Sequence, residues 1–255
     1  MKSLAIIQAR MGSSRLPGKV LQPLADKPLV GHVYDRVRRS ALLDQVLIAT
    51  TTQPEDDALA AYCEAQGIPV HRGSDWDVLD RFYGAATLGD TRPEVIVRIT
   101  ADCPLHHGEV VDFALKAFAA AGTDYFSNSN HEPDVLEDGC DTEVFTFVAL
   151  ETAWREANLL SQREHVTPFI KDSGLFTCAW QKAFPDWTQK LSVDTPADFA
   201  AAEAIFAAFA PDVYFSPSLV PALLRDRPDI LRLNETSVIN AGYLKSLAED
   251  RVIDA

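Results

Sequence analysis

The first hundred residues alternate between two periods of apolar spacing. The run SLAIIQ (3–8) is a short apolar stretch ended by a loop rich in Gly, Ser and Pro, which predicts a buried strand. Residues 28–39 then place Leu29, Val30, Val33, Tyr34 and Val37 at helical spacing, with Pro28 suited to a first turn. QVLIATT (45–51) predicts a second strand, and 55–66 a helix that Gly67 stops. A short strand in IPVHR, a helix over 76–88 and a strand in EVIVRIT (94–100) follow. Alternating strands and helices predict a parallel sheet covered on both faces. In such sheets ligands bind beyond the carboxyl ends of the strands, which here are the loops 9–19 and 101–107.

The later pattern is less regular. It predicts a helix over 108–121, a strand in TDYFSN, helices over 147–158 and 161–171, a strand in KLSVDT (190–195) and an Ala- and Phe-rich helix over 196–209. Two weaker helices, 217–226 and 240–249, end the chain. No internal repeat, low-complexity tract or linker interrupts it. The expected organisation is one domain over 1–210, with 211–255 a small helical extension of it.

Composition narrows the function classes. The 255 residues suffice for one sizeable core, and 24% charged with 47% hydrophobic residues suits a folded soluble protein. The net charge of −14 disfavours a protein that wraps nucleic acid. Yet residues 1–40 carry a net +6, leaving −20 for the rest, so a local anion site is expected near the start. Arg36, Arg38 and Arg39 have a plainer reading as cations at a helix C-terminus. Cys63, Cys103, Cys140 and Cys178 have neither zinc-like pairing nor a disulfide-framework spacing, which fits a reduced cytoplasm. The opening apolar run is too short for a signal peptide, and no stretch is long enough to span a bilayer.

The loop Ala9-Arg10-Met11-Gly12-Ser13-Ser14-Arg15-Leu16-Pro17-Gly18-Lys19 is the strongest candidate for chemistry. Small residues let backbone N–H groups approach an anion, and three cations neutralise it. It is not a Walker A loop: five residues separate Gly12 from Gly18, and Val20 follows Lys19. No Gly-x-Gly-x-x-Gly pattern is present, so a dinucleotide site is not expected.

The segment IIQARMGSSRLPGKVL closely resembles the N-terminal signature of the CTP-using sugar-acid cytidylyltransferases, which include the synthetases of CMP-3-deoxy-manno-octulosonate and CMP-acylneuraminate. DVLDRFYGAA (77–86), RITADCPL (98–105), DGCDTEVF (138–145), REHVTPFI (163–170) and LSVDTPADF (191–199) resemble, in order, blocks of the branch called spore coat polysaccharide biosynthesis protein F. The resemblance implies the nucleotide-diphospho-sugar transferase fold, an α/β architecture with a mostly parallel mixed sheet. It implies transfer of CMP from CTP to a sugar or sugar acid with release of pyrophosphate. Arg10, Arg15 and Lys19 would then hold the triphosphate, assisted by Ala9, Gly12, Ser13 and Ser14. Thr100 stands in the base-side block, where relatives often carry Gln. Ala101, Glu137 and Cys140 depart from the family pattern.

Nucleotidyl transfer needs a metal to neutralise the reacting phosphate, and Mg²⁺ prefers one or two carboxylates plus phosphate oxygens. Asp102 follows the fourth predicted strand, and Asp194 precedes a helix beginning near Pro196. On spacing alone Asp194 is equally a helix cap; the resemblance implies that it and Asp102 together hold Mg²⁺. Asp75 and Asp77 read as a capped helix start rather than a metal motif. Asp80 and Arg81 are candidates to line the pocket, although Arg81 also has Asp77 four residues before it. The resemblance makes Asp141 and Glu143 candidates for acceptor hydroxyls, and Arg163, Glu164 and His165 another candidate patch. His106 and His107 lack zinc spacing, and no Ser nucleophile elbow is present.

The expected partners are CTP and a sugar or sugar-acid acceptor, with a homodimer left open. Rival readings are a nucleotidyltransferase using another triphosphate and a sugar phosphate, a glycosyltransferase on a similar fold, and a non-catalytic nucleotide-binding module.

Overall fold

The computed structural model describes residues 2–89, 92–129, 137–239 and 241–253. SLAIIQ forms β1 (Ser3–Gln8), whose neighbours are buried on opposite faces. Ala5 and Ile7 join one hydrophobic layer, and Leu4 and Ile6 join the other. A strand apolar on both faces requires helices on both sides. The first layer is supplied by α1 (Leu29–Val37), α2 (Asp57–Gln66), α4 (Gly108–Ala121) and α8 (Pro196–Phe209). The second is supplied by α3 (Val78–Ala86) and α5 (Phe147–Glu156).

Seven strands form the main sheet: β1, β4 (Gln45–Thr51), β5 (Val70–Gly73), β6 (Val95–Thr100), β7 (Tyr125–Ser127), β8 (Glu143–Thr146) and β9 (Cys178–Trp180). Their order is β5-β4-β1-β6-β8-β7-β9, and β8 alone runs antiparallel to its neighbours. β2 (Pro23–Leu24) and β3 (Lys27–Pro28) form a separate small hairpin. The chain moves outward from β1 to β4 and β5, then returns to lay β6 along the other edge of β1. The order therefore reverses between β1 and β6. That reversal point is where an open α/β sheet leaves a crevice, and the loops 9–19 and 101–107 flank it.

Several elements depart from the sequence expectation. KLSVDT is not a strand. The N–H groups of Leu191 and Ser192 donate instead to Asp138 Oδ1, at 2.9 and 2.7 Å, and that of Val193 to the Asp102 carbonyl at 2.8 Å. A loop held by a side chain and another loop satisfies its backbone without a sheet edge. Residues 161–171 form two short helices, α6 (Leu160–His165) and α7 (Pro168–Asp172), because the chain turns at Val166 with φ 70°. β8 and β9 are too short to show a period, and the helices α9 (Val220–Asp226), α10 (Pro228–Leu231) and α11 (Ala241–Ala248) divide the tail.

Arg36 is not a solvated cation at a helix end. It is fully buried, and its guanidinium donates to the carbonyls of Leu105, His106, Val213 and Phe215 at 2.7–3.0 Å. Burial lowers its pKa to about 10. Four charge-assisted bonds from one side chain tie the loop after β6 to the segment beyond α8. His106 Nε2 lies 2.7 Å from Thr142 Oγ1, which fixes the same loop from its other side. The loop that carries Asp102 is thus held rigidly at the crevice. Among the described residues no helix is long and apolar enough to cross a membrane.

Candidate active site

The basic loop is shaped from below. Asp56, fully buried, accepts from the Met11 N–H at 2.6 Å and also bonds the Thr51 hydroxyl. The Gly18 N–H returns to the Met11 carbonyl at 2.9 Å, and Gly18 sits at φ 72°, a conformation that favours glycine. That turn delivers Lys19 into a single 3₁₀ turn (Lys19–Leu21) pointing inward.

Lys19 does not lie along an open phosphate cradle. It is 7% exposed, and its ammonium donates to Asp102 Oδ2 at 2.9 Å, Asp194 Oδ1 at 3.2 Å and the Val193 carbonyl at 2.6 Å. The two aspartates, 92 residues apart by number, therefore converge on one point. Burial is the largest single influence and would raise the Asp102 pKa, but the Lys19 charge together with hydrogen bonds from Lys19, Thr100 and the backbone holds the carboxyl down to about 2. Arg15 Nη2 reaches Asp194 Oδ1 at 3.0 Å from the solvent side, and buried Lys190 reaches Asp194 Oδ2 at 3.3 Å from behind. Asp194 is not the cap of α8. Thr195 caps that helix, accepting from the Asp198 N–H, and Asp198 returns the bond in a capping box.

Two hard carboxylate oxygens within about 3 Å of one cationic atom suit a divalent ion that takes its remaining ligands from phosphate and water. Asp102 and Asp194 thus fit Mg²⁺. Among the described residues no group of three or more His, Cys, Asp or Glu forms a metal cage, and all four cysteines are free.

Two lobes open on either side of this point. The larger, about 450 Å³, is lined by Gln8, Ala9, Arg10, Gly12, Ser13, Ser14, Arg15 and Lys19, by Arg81 of α3, by Thr100–Asp102, and by Lys245 and Ser246 of α11. The smaller, about 210 Å³, is lined by Arg98, Thr100, Asp102, Asp138, Asp141, Glu143, His165, Lys171 and Tyr243. Thr100, Asp102 and His165 belong to both. The structure thus gathers the loop residues and Arg81 on one side, and Asp141 and Glu143 on the other, with Asp102 on the shared wall.

Individual roles are sorted by their partners. Arg10 crosses to Asp75 at 3.2 Å, an exposed pair on the rim. Arg81 is not paired with Asp77: it is buried, donates to the Ser74 carbonyl at 2.6 Å, and leaves its Nε without a partner among the described residues. Asp77 is taken by Arg163, whose Nε donates to it at 2.9 Å, so Arg163 braces α6 against the start of α3 rather than facing an acceptor. Asp80 accepts from Trp154 Nε1 at 2.9 Å and is likewise structural. Glu164 accepts from Ser246 at 2.7 Å. His165 lies edge-on to Tyr243 at 5.0 Å, and burial pushes its pKa down to about 4, so it is neutral at physiological pH.

Glu143 forms part of the smaller lobe's wall, but its oxygens are already engaged. It is paired with Arg98 and accepts from Tyr125 and Thr167, each at 2.6 Å. Burial, the largest single influence, opposes its ionisation, and the charges of Arg98 and Lys171 together with the Thr167 and Tyr125 hydrogen bonds overcome it, lowering the pKa to about 2. Asp138 and Asp141 differ. Burial raises both, and the Asp138 charge helps carry Asp141 to about 7. Gly139 makes their turn possible, with φ 93° and no room for a Cβ, which would lie 2.7 Å from the Leu191 backbone.

A folded-state pKa raised above the unfolded value contributes stability at low pH that is lost as pH rises through the folded value. For Asp141 the window runs from its unfolded value, roughly 4, to about 7. Asp141→Asn removes the titration while keeping an acceptor for the Gly139 N–H, which lies 3.0 Å from Asp141 Oδ2. Its Tm relative to wild type should rise between pH 5 and about pH 7 and level off toward pH 8, with a gain of about 3 °C or more at the upper end. Thermal unfolding across that range checks this, and a constant or shrinking gap would show that Asp141 ionises as freely as in the unfolded chain.

Sequence reasoning missed Arg98, Lys190, Lys171, Tyr243 and Lys245. Arg98 had a visible signal, a lone charge inside the apolar run VIVRIT. The α11 residues had none, because nothing local shows that the tail returns to the crevice. It is anchored there by Ser161 donating to Asp250 and by backbone bonds from Leu160 and Ile253 to Arg251 and Asn158.

The comparisons with known proteins point one way. The pattern of the family described as cytidylyltransferase matches residues 4–203. The spore coat polysaccharide biosynthesis protein SpsF of Bacillus subtilis is 36% identical over 236 residues, covering 89% of this chain and 95% of that protein. A 3-deoxy-manno-octulosonate cytidylyltransferase of Anaeromyxobacter dehalogenans is 39% identical over 116 residues, covering 45% of this chain and 46% of its own. Among solved structures, a cytidylyltransferase from Leptospira borgpetersenii superposes with a TM-score of 0.83 at 28% identity, covering 94% of this chain and 99% of that one.

Proposed function

The chain belongs to the cytidylyltransferase family, and on that premise we propose how its two-lobed crevice moves CMP from CTP to a sugar for polysaccharide biosynthesis. The observation that carries the assignment of roles is the convergence of Asp102 and Asp194 on Lys19, with Asp102 lining both lobes. CTP occupies the larger lobe, with its triphosphate along loop 9–19 and its base toward Thr100. The acceptor, a sugar or sugar acid, occupies the smaller lobe.

Asp102 and Asp194 would hold the catalytic Mg²⁺, which when bound would supply charge neutralisation at the reacting phosphate. Arg10 and Arg15 lie on the solvent side of the loop and stabilise the departing pyrophosphate by charge-assisted hydrogen bonds. Asp141 and neutral His165 orient the acceptor hydroxyl that attacks the α-phosphorus. Glu143 keeps the wall of the smaller lobe in place through Arg98, Tyr125 and Thr167. As one P–O bond forms at the α-phosphorus, the bond to pyrophosphate breaks and the hydroxyl proton is released to solvent.

The nucleotide assignment is tested by thermal unfolding with MgCl₂ and CTP, UTP, GTP or ATP. Ligand at about 100 times its Kd stabilises by roughly 2.7 kcal/mol, so CTP should raise Tm by about 5–10 °C. The other three should do less. Equal shifts with all four would remove base selection from the proposal, and no shift with any would remove the nucleotide site.

A further inference from the structure

Lys19 is the most constrained cation in the crevice. Its ammonium has three N–H donors and three acceptors, in Asp102, Asp194 and the Val193 carbonyl, all within 3.2 Å. No donor is left for a phosphate. Its position is also the meeting point of the two carboxylates that the reading above gives to Mg²⁺. An ammonium and a Mg²⁺ held by the same carboxylates repel each other at contact distance, and Mg²⁺ needs its oxygens at about 2.0–2.1 Å. Both cannot occupy the point at once.

We infer that Lys19 is the resident counter-ion of Asp102 and Asp194 in the metal-free protein, holding the carboxylates in place and competing with the divalent cation for them. This rests on the reading that those aspartates bind metal. Without Lys19, Asp102 would lose its cation and repel the nearby Asp194, which Arg15 and Lys190 still hold, driving the β6 loop from the 191–194 segment. With Lys19 between them they stay in register, and Val193 remains bonded to the Asp102 carbonyl at 2.8 Å. When the metal enters, the Lys19 ammonium must leave at least one carboxylate. Lys19 also lines the larger lobe, where the triphosphate supplies new acceptors. Metal entry and the phosphate contact of Lys19 are therefore one exchange: the ammonium gives up carboxylate oxygens and gains phosphate oxygens. The buried Lys190 does not take part, since it reaches Asp194 Oδ2 from behind and is also held by Asp198 at 3.2 Å and the Ser192 carbonyl at 2.7 Å.

The test uses the full chain, without nucleotide, and Mn²⁺ as the probe, followed by the EPR signal of free Mn²⁺. Lys19→Met keeps the buried stem and removes the charge. The variant should bind Mn²⁺ at least about tenfold more tightly than wild type; a measurable constant in the variant where wild type is too weak to titrate supports the inference equally. Thermal unfolding gives the second reading. In EDTA, Lys19→Met should melt below wild type, and saturating Mg²⁺ should close most of that gap. Adding Asp102→Asn to Lys19→Met should raise the Tm in EDTA, because the repulsion is gone. Mn²⁺ binding in Lys19→Met equal to or weaker than wild type, or a Tm deficit that Mg²⁺ leaves unchanged, would overturn the inference. Asp102→Asn and Asp194→Asn in the wild-type background separate the two ideas. If they lose Mn²⁺ binding while Lys19→Met does not gain it, only the counter-ion role falls; if they keep it, the metal lies elsewhere and both readings fall.

Discussion

Asp102→Asn and Asp194→Asn should each lower pyrophosphate release from CTP by about 10²–10⁴-fold, with the double variant little worse than the poorer single one. The expectation follows from geometry. Both carboxylates meet at one cationic atom, 2.9 and 3.2 Å away, so they serve one site rather than two. Losing either carboxylate charge leaves a cation with half its protein ligands, and losing the second removes what the first loss had already disabled. The substitution is nearly isosteric, so packing contributes little. A helix-cap role would have made Asp194→Asn harmless, since Asn caps about as well as Asp, but Thr195 performs that role. The rate is measured with whichever acceptor in a panel of sugars and sugar acids wild type uses fastest. The Mg²⁺ concentration for half-maximal rate should rise in both single variants. An Asp194→Asn rate within about twofold of wild type would take Asp194 out of the mechanism, and multiplicative losses would mean two separate sites.

The crevice was legible in the sequence because its parts are local. A buried strand followed by a Gly/Ser-rich loop with Arg10, Arg15 and Lys19, and a second buried strand followed by Asp102, place both at sheet ends without knowledge of the fold. The partner of each charge was not legible. Lys19 reads only as a phosphate ligand, with no sign of its carboxylate partners, until Asp194 is seen beside it, 175 positions later. Arg36 reads as a helix-end cation until the carbonyls of Val213 and Phe215 are brought to it. Such pairings are set by tertiary packing, which leaves no periodic trace. KLSVDT misled for a related reason: its apolar alternation is that of a strand, but its N–H groups are taken by Asp138 and the Asp102 carbonyl. The family resemblance supplied what periodicity lacked, joining Asp102 to Asp194, but it did not distinguish Glu143, locked in a structural network, from Asp141, which is not.

Arg10→Ala and Arg15→Ala present the opposite case, in which losses should multiply. Each guanidinium is assigned charge-assisted bonds to the triphosphate, worth roughly 1.5–3 kcal/mol, so each variant should lose about 10–100-fold in kcat/KM for CTP. The two side chains share no protein partner. Arg10 reaches Asp75 across the rim, and Arg15 reaches Asp194 at the centre. Groups without a common partner act nearly independently, so the Arg10/Arg15 double variant should fall by about 10²–10⁴-fold. Both side chains are well exposed, 46% and 38%, and their ion pairs are solvent-screened, so Tm should change little. Arg15 raises one complication, because its removal also relieves Asp194 of a cation. Lys19 and Lys190 still hold that carboxylate, so the Mg²⁺ requirement of Arg15→Ala should stay within about twofold of wild type. The loss should therefore appear against CTP concentration and not against Mg²⁺. It should also shrink as ionic strength rises, since salt screens the exposed contacts that wild type alone makes. A double variant with wild-type kcat/KM would reduce the loop to a basic surface, and losses in which the second substitution adds nothing would mean that the two arginines grip one phosphate together.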